Sequence, residues 1–333
     1  MKTVKQITLA ARPKGMPDMS IFRFDDVALP EVKTGELQLK GRYYSVDPYM
    51  RGRMNDVKSY SPPFKLEHAL EGGAVAEVVE SKDPAFAPGD LVLGPYLPWA
   101  TEMVVPAATV KKIDTNLAPA SYFLGVLGMT GLTAYIGLLD IGKPKAGETL
   151  VVSGAAGAVG LVVGQLGKHL GLRVVGIAGS EDKIKMLKEE YGFDEALNYK
   201  TGDLSAQIAK ACPDGVDIYF DNVGGDVTDA VVPHLNFFAR IPLCGQIAIY
   251  NNEEPSVGPR IQPTLLTRSV LMQGFIIRNY PTRYAEGIQY LAPLVKAGKI
   301  KFTETFVEGF EKIPEAFLAL FTGQNTGKMI VKV

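Results

Sequence analysis

Apolar positions along this chain follow two different rhythms. Up to about residue 120 they form short strand-like runs, 37–40, 74–79, 91–93, 100–105 and 110–112, broken by Pro, Gly and Asp. Pro88-Gly89-Asp90 is a turn signal directly ahead of one of them. No helix-period stretch alternates with these runs, so a mostly β domain, a barrel, is expected there. Within it Tyr43-Tyr44-Ser45-Val46-Asp47-Pro48-Tyr49-Met50-Arg51 stands out. It reads as a helix start, with Asp47 as cap and Pro48 at the first helical position, and also as an aromatic lining for a pocket.

The rhythm changes from Thr149. Strand-like runs at 149–152, 173–177, 196–198, 216–220, 238–244 and 270–275 alternate with helix-period stretches at 161–170, 182–191, 204–212 and 227–235. Such alternation predicts a doubly wound parallel sheet. The tail then predicts a helix at 282–297, a strand at 301–307, a helix at 313–321 and a last strand at 328–333. These two extra strands are expected to pair with the N-terminal β domain. The domains therefore read as 1–122 with 298–333, and 123–297.

Size supports that division, because 333 residues are long for a single core. Composition adds mainly exclusions. Apolar residues make up 47% and charged residues 21%, as in soluble globular chains. A net charge of −1 provides no field for nucleic acid or an anionic membrane. No apolar run is long enough to span a bilayer, and no secretory apolar segment opens the chain. Met1 to Gly15 carries Lys2, Lys5, Arg12 and Lys14 without an acid, which transit peptides share, but 7–10 reads as a first strand. Cys212 and Cys244 lie far apart, so a reducing compartment, the cytoplasm, is expected. His68, His169 and His234 are scattered, no metal-ligand spacing is present, and no metal is expected.

Candidate chemistry centres on Gly154-Ala155-Ala156-Gly157-Ala158-Val159-Gly160, between the strand at 149–152 and the following helix. Glycines there let the backbone approach a pyrophosphate, and a helix start offers unpaired N–H groups and the positive end of its dipole. The end of the next strand reads Ala178-Gly179-Ser180-Glu181-Asp182-Lys183. A small, neutral tip leaves room for an adenosine 2′-phosphate, with Lys183 as countercharge. Glu181 and Asp182 argue mildly the other way, although acids in a first helical turn are expected from the dipole alone.

Further stretches extend this pattern over essentially the whole chain. They are 45–51, Gly128-Met129-Thr130-Gly131-Leu132-Thr133-Ala134-Tyr135, 155–160, Gly179-Ser180, Asn198-Tyr199-Lys200, Phe220-Asp221-Asn222-Val223-Gly224-Gly225, Cys244-Gly245, Tyr250-Asn251 and Asn325-x-Gly327-Lys328. Together with the order of parts they resemble the medium-chain dehydrogenase/reductase superfamily. More narrowly they resemble its zinc-independent branch of prostaglandin/leukotriene reductases, plant double-bond reductases and bacterial curcumin-type or 2-alkenal reductases. The want of zinc fits residues 1–120, which hold no cysteine and one histidine, His68.

The resemblance implies an α/β chain in which a GroES-like β-barrel domain is joined to a Rossmann domain. It implies NADPH as cofactor and reduction of the C=C bond of α,β-unsaturated ketones and aldehydes, small apolar conjugated carbonyls. Gly157, Ala158, Val159 and Gly160 would hold the pyrophosphate, and Lys183 with Tyr199 the 2′-phosphate. Asn222, Cys244, Gly245, Tyr250, Phe275, Ile276, Ile277 and Asn325 would line the rest of the cofactor. Tyr250 stands where the family has a hydroxyl near the nicotinamide ribose and the substrate carbonyl; a tyrosine merely packed on the cofactor fits the same place. The family commonly forms homodimers. Tyr49 and Met129, with Met50, Tyr60, Tyr96 and Trp99, suit an apolar pocket, while Arg51 suits a substrate carboxylate or a structural ion pair. Thr130 stands where proline is common, and Gln246-Ile247-Ala248-Ile249 replaces a small, Ser-containing stretch. A quinone reductase of the same fold and a non-catalytic NADPH-binding protein are the alternatives.

Overall fold

The broken apolar runs of the first part form short antiparallel strands. In the computed structural model, which describes residues 2–333, they are β1 (Thr3–Leu9), β2 (Phe22–Ala28), β3 (Glu36–Ser45), β4 (Glu71–Ser81), β5 (Leu91–Pro98), β6 (Glu102–Pro106) and β7 (Lys111–Lys112). β1 and β2 pair with each other, Thr3 opposite Ala28 through Leu9 opposite Phe22. β3 organises the remainder, with β4 along one edge and β6 beside its first half on the other. Leu37 and Leu39 alternate into the core as strand geometry requires, until the register shifts between Gly41 and Tyr43. There the Tyr44 ring folds over Gly41 so closely that a Cβ at 41 would lie 2.0 Å from its hydroxyl.

A short helix, α1 (Tyr49–Arg53), follows β3. Its N-cap is Pro48, one residue later than the sequence suggests. The Asp47 carboxylate accepts a hydrogen bond from Ser45 Oγ (2.5 Å).

The second rhythm folds into a separate unit, Gly125–Thr303 with Thr326–Lys328. It contains α2 (Met129–Ile136), β8 (Thr149–Ser153), α3 (Ala158–His169), β9 (Arg173–Ala178), α4 (Glu181–Glu189), β10 (Glu195–Asn198), α5 (Leu204–Ala211) and β11 (Val216–Phe220). After these come α6 (Gly225–Val231), β12 (Leu235–Leu243), α7 (Gln262–Thr267), β13 (Leu271–Gly274) and α8 (Tyr284–Lys296). The strands form one six-stranded sheet in the order β10-β9-β8-β11-β12-β13, with every neighbouring pair parallel. Every residue of β8 is buried, which is why its sequence is continuously apolar or small rather than alternating. The strand order reverses between β8 and β11, and ligands of such sheets bind beyond the strand ends at that point.

Two predicted boundaries shift for local reasons. The helix expected to reach Leu235 ends at Val231, because Pro233 has no N–H to give and the chain tightens into a 3-10 turn before β12. The strand expected from Lys301 starts at Glu304. Before it, the Lys301 N–H donates to Gln165 Oε1 (2.7 Å) rather than to a neighbouring strand.

β14 (Glu304–Glu308), α9 (Ile313–Ala319) and β15 (Lys328–Lys332) bring the chain back to the first sheet, as expected. Its order is β14-β15-β3-β4-β5-β7, with Ile330 opposite Ser45 and Val331 opposite Tyr44. The first unit thus comprises the chain up to Leu124 with Glu304–Asn325 and Met329–Val333. In its core Phe22 stacks on Trp99 and meets Phe317 edge-on.

Candidate active site

The glycine loop lies between β8 and α3. Gly154 has φ +59°, a left-handed conformation that glycine adopts without strain. The Gly157 N–H closes the turn on Gly154 O (3.0 Å), and the first N–H donated within the helix is that of Leu161, to Gly157 O (3.0 Å). The N–H groups of Ala158, Val159 and Gly160 therefore stand at the open, positive end of α3. Gly160 is demanded by packing, since a Cβ there would lie 2.3 Å from Gly154 O and 2.7 Å from Ala155 Cα. A returning segment braces the loop: the Gly327 N–H donates to Ala156 O (2.8 Å), and Gly157 and Gly327 form a parallel bridge. Gly327 (φ +65°) has no room for a side chain against Thr303 O. Asn325 belongs to the first unit and is half-buried.

At the tip of β9, Ser180 caps α4, its Oγ accepting the Lys183 N–H (3.4 Å). Tyr199 lies directly on Gly179, where a Cβ would come within 2.8 Å of its ring. Lys183 is half-buried, and burial first, then the neighbouring Lys200 charge, pulls its ammonium below the ordinary lysine value. Lys200 in turn sits 5.8 Å from the Tyr199 ring centroid. Glu181, which argued against a phosphate here, is engaged elsewhere: its Oε1 accepts from Asn198 Nδ2 (2.5 Å). Two cations that repel each other beside an exposed tyrosine make a site whose charge a dianion relieves. The second cation, Lys200, was not singled out in the sequence, although it directly follows Tyr199.

Beyond β11 the structure reveals a residue that the sequence presented only as part of a motif. The Asp221 carboxylate is fully buried and accepts hydrogen bonds from Ser153 Oγ (3.1 Å), Tyr219 Oη (3.0 Å), Thr228 Oγ1 (2.7 Å) and the N–H groups of Val223 (3.0 Å) and Gly224 (2.9 Å). Its backbone oxygen receives the N–H groups of Cys244 (2.8 Å) and Gly245 (3.1 Å). Asn222 is locked to the end of β8, giving its N–H to Ser153 Oγ (2.9 Å) and its amide to Ser153 O (2.8 Å). An acid directly after a buried strand, followed by Asn and two glycines, is the signal that could have found it.

Asn222, Gly245 and Tyr250 come together here. A Cβ at Gly245 would lie 3.2 Å from Asn222 O and 3.4 Å from the Tyr250 hydroxyl. The Tyr250 oxygen accepts the Gln246 N–H (3.2 Å), so the phenol's own proton is not spent on that bond. Burial foremost pushes the phenol above its ordinary value, the Gln246 N–H pulls against it, and Cys244 and Asp221 add smaller upward pushes. It stays neutral and able to donate at neutral pH. Burial likewise pushes the Cys244 thiol up to about 12, which leaves no thiolate nucleophile.

The remaining candidates divide. The Phe275 ring packs edge-on against Phe220 (6.3 Å) over Gly137, and Ile276 and Ile277 follow half-buried. Met129, 36% exposed, opens α2 in the second unit, whereas Tyr49 and Arg51 lie on α1 in the first. Arg51 is 3% exposed and donates to Asn55 Oδ1 (2.7 Å) and Gly15 O (2.8 Å).

Known proteins match along the whole length. Residues 5–113 fit the family model of the N-terminal domain of oxidoreductases, and residues 158–292 that of zinc-binding dehydrogenases. A Bacillus subtilis protein named as an NADP-dependent oxidoreductase is 57% identical over 332 residues, covering 99% of this chain and 97% of that one. The NADPH-dependent curcumin reductase of Escherichia coli is 46% identical over 98% of this chain and 95% of its own. The crystal structure of CurA from Vibrio vulnificus in complex with NADPH superimposes with a TM-score of 0.94 at 44% identity, over 99% of both chains. The chain belongs to the medium-chain dehydrogenase/reductase family, in the zinc-independent branch that includes the curcumin, 2-alkenal and prostaglandin reductases.

Proposed function

We propose that this protein reduces the C=C bond of α,β-unsaturated ketones and aldehydes with NADPH. The glycine loop fits a pyrophosphate and the Lys183–Lys200 tip fits a 2′-phosphate. When bound, the cofactor supplies a hydride for the β-carbon of the enone. The chain's own contribution is to hold the substrate and meet the charge that develops on its carbonyl oxygen. The observation that carries the reading is the neutral Tyr250 phenol with its proton free, beside Asn222 at the strand ends where dinucleotides bind. A curcumin reductase among the close relatives supports it.

The test follows NADPH absorbance with a medium-chain 2-alkenal, an aryl enone and a simple quinone, with NADH in parallel. Turnover of the enones, with products heavier by two hydrogens, is the expected result. Turnover of the quinone alone would overturn the reading in favour of a quinone reductase, and tight NADPH binding without turnover would leave a binding protein. Lys183→Ala is expected to raise the KM for NADPH roughly tenfold to hundredfold and to change that for NADH by less than about twofold. Equal effects on both cofactors would remove the 2′-phosphate from this tip.

The assembly we expect is a homodimer through the outer edge of β13. That strand ends the sheet, and Leu271 (45% exposed), Leu266 (81%) and Phe238 (71%) are apolar residues that a second copy would cover. Phe238 joins this edge by donating its N–H to Arg268 O (2.8 Å). Sedimentation velocity at micromolar concentration should return the mass of two chains, and a monomer would overturn the assignment. No helix among the described residues is long and apolar enough to cross a membrane. Both cysteines are free thiols, which accords with our assignment to the cytoplasm.

A further inference from the structure

Asn198 closes β10 and is only 8% exposed. It stands in register beside Ala178, the last residue of β9, and the Tyr199 N–H donates to Ala178 O (3.1 Å). Both ends of its side-chain amide are engaged. Nδ2 donates to Glu181 Oε1 (2.5 Å), and Oδ1 accepts the Lys200 N–H (3.1 Å), which closes an Asx turn around Tyr199. Its backbone oxygen accepts from the N–H and the hydroxyl of Thr201, both at 3.2 Å. Asn198 thus ties an acid in the first turn of α4 to the turn that carries Tyr199 and Lys200, and all of these residues belong to the second unit.

The tip has a charge demand of its own. Lys183 is half-buried and faces the Lys200 charge, so a nearby anion relieves it. A carboxylate meets that demand as a phosphate does. Glu181 adjoins both lysines: it opens the turn that contains Lys183, and its partner Asn198 lies two residues before Lys200. It is also exposed, so only its bond to Asn198 restrains it. That bond comes from a neutral amide, so holding the acid draws on neither lysine. We propose that Asn198 is a positioning residue for cofactor selectivity, its amide holding the Glu181 carboxylate off the Lys183–Lys200 tip and so keeping that tip for an adenosine 2′-phosphate. This rests on the reading in which the tip takes that phosphate.

The test measures the Kd of NADPH and of NADH on the purified full chain and reads the ratio of the NADH value to the NADPH value. The two cofactors differ only at the 2′ position, so losses shared by both cancel. Asn198→Ala is expected to lower the ratio roughly fivefold to fiftyfold, because the released acid repels the phosphate and competes for its cations. Glu181→Ala alone should change it by less than about twofold. Added to Asn198→Ala, it should bring the ratio back to within about threefold of wild type, a rescue that a purely structural role of Asn198 would not give. Asp182 is present in every variant and cancels likewise. A ratio that stays put in Asn198→Ala, or that falls and is not restored in the double variant, would overturn the proposal and leave Asn198 to the turn alone. A rise in Glu181→Ala as large as that in the double variant would also overturn it, since the acid would then act on the site with Asn198 in place. Should circular dichroism show that Asn198→Ala does not fold, Asn198→Ser takes its place in both arms. Its hydroxyl can accept the Lys200 N–H but is too short to hold Glu181. Lys183→Ala separates the proposal from the reading beneath it. An unchanged ratio there would take the 2′-phosphate away from the tip and overturn both. A ratio that collapses there, while the Asn198 variants match wild type, would overturn the positioning role alone.

Discussion

Tyr250→Phe is expected to lower kcat for enone reduction by roughly 10²–10³-fold, with NADPH affinity changed by less than about threefold. The substitution removes one oxygen and leaves the ring that packs at this place. On the protein side, the loss is the acceptor of the Gln246 N–H, a peripheral bond of 3.2 Å. On the substrate side, the role proposed for Tyr250 would lose its donor to a developing negative charge, which matters in the transition state and hardly at all in the ground state. The phenol also predicts a pH signature. Burial raises its pKa, so the protonated, donating form persists above the ordinary tyrosine range and is lost only as pH rises through the raised value. The kcat profile of the wild type should therefore be level through neutrality and fall at the alkaline end, and the Phe variant should lack that falling limb. Steady-state kinetics across pH, with NADPH binding followed by fluorescence, separates the two effects. A kcat within about threefold of wild type would leave Tyr250 as packing alone.

The parallel sheet of the second unit was legible because parallel strands are buried on both faces. Their β-branched runs need no partner information to be recognised, as the wholly buried β8 illustrates. The glycine loop was legible for a related reason, since a helix that starts this close to a strand end leaves no room for a side chain at Gly160. What stayed hidden depends on partners distant in sequence. Glu181 looked like an argument against a 2′-phosphate only because its bond to Asn198 comes from another strand. The packing of the Phe275 ring against Phe220 over Gly137 likewise joins residues far apart in sequence. Arg51 drew attention ahead of Arg53 because it sits in the more distinctive stretch, yet Arg51 is bonded to Asn55 and Gly15 while Nη1 of Arg53 meets no acceptor among the described residues. Local boundaries erred where a single group took the backbone's place, as Gln165 does at Lys301.

Asp221 is the strongest case of tertiary information, and removing it should be the most damaging single change to the site's framework. Asp221→Ala leaves the Val223 and Gly224 N–H groups buried with no acceptor, and strands Ser153, Tyr219 and Thr228 hydroxyls that had pointed at one carboxylate. Hydroxyls can rotate to new partners, but backbone N–H groups on a short loop cannot. The expected loss is about 3–5 kcal/mol of stability in urea denaturation. Asp221→Asn keeps the shape and one acceptor oxygen for the two N–H groups, and Thr228 Oγ1 can turn to accept from the new amide. Its loss should be smaller, about 1–3 kcal/mol. Both variants should also bind NADPH less tightly, because Asn222 is held by Ser153, whose hydroxyl Asp221 orients at the end of β8. Stability and cofactor affinity should thus fall together along the series Asp, Asn, Ala, whereas Tyr250→Phe changes kcat without either. An Ala variant that loses less than about 1 kcal/mol would show that the network relaxes around the gap and does not position the site.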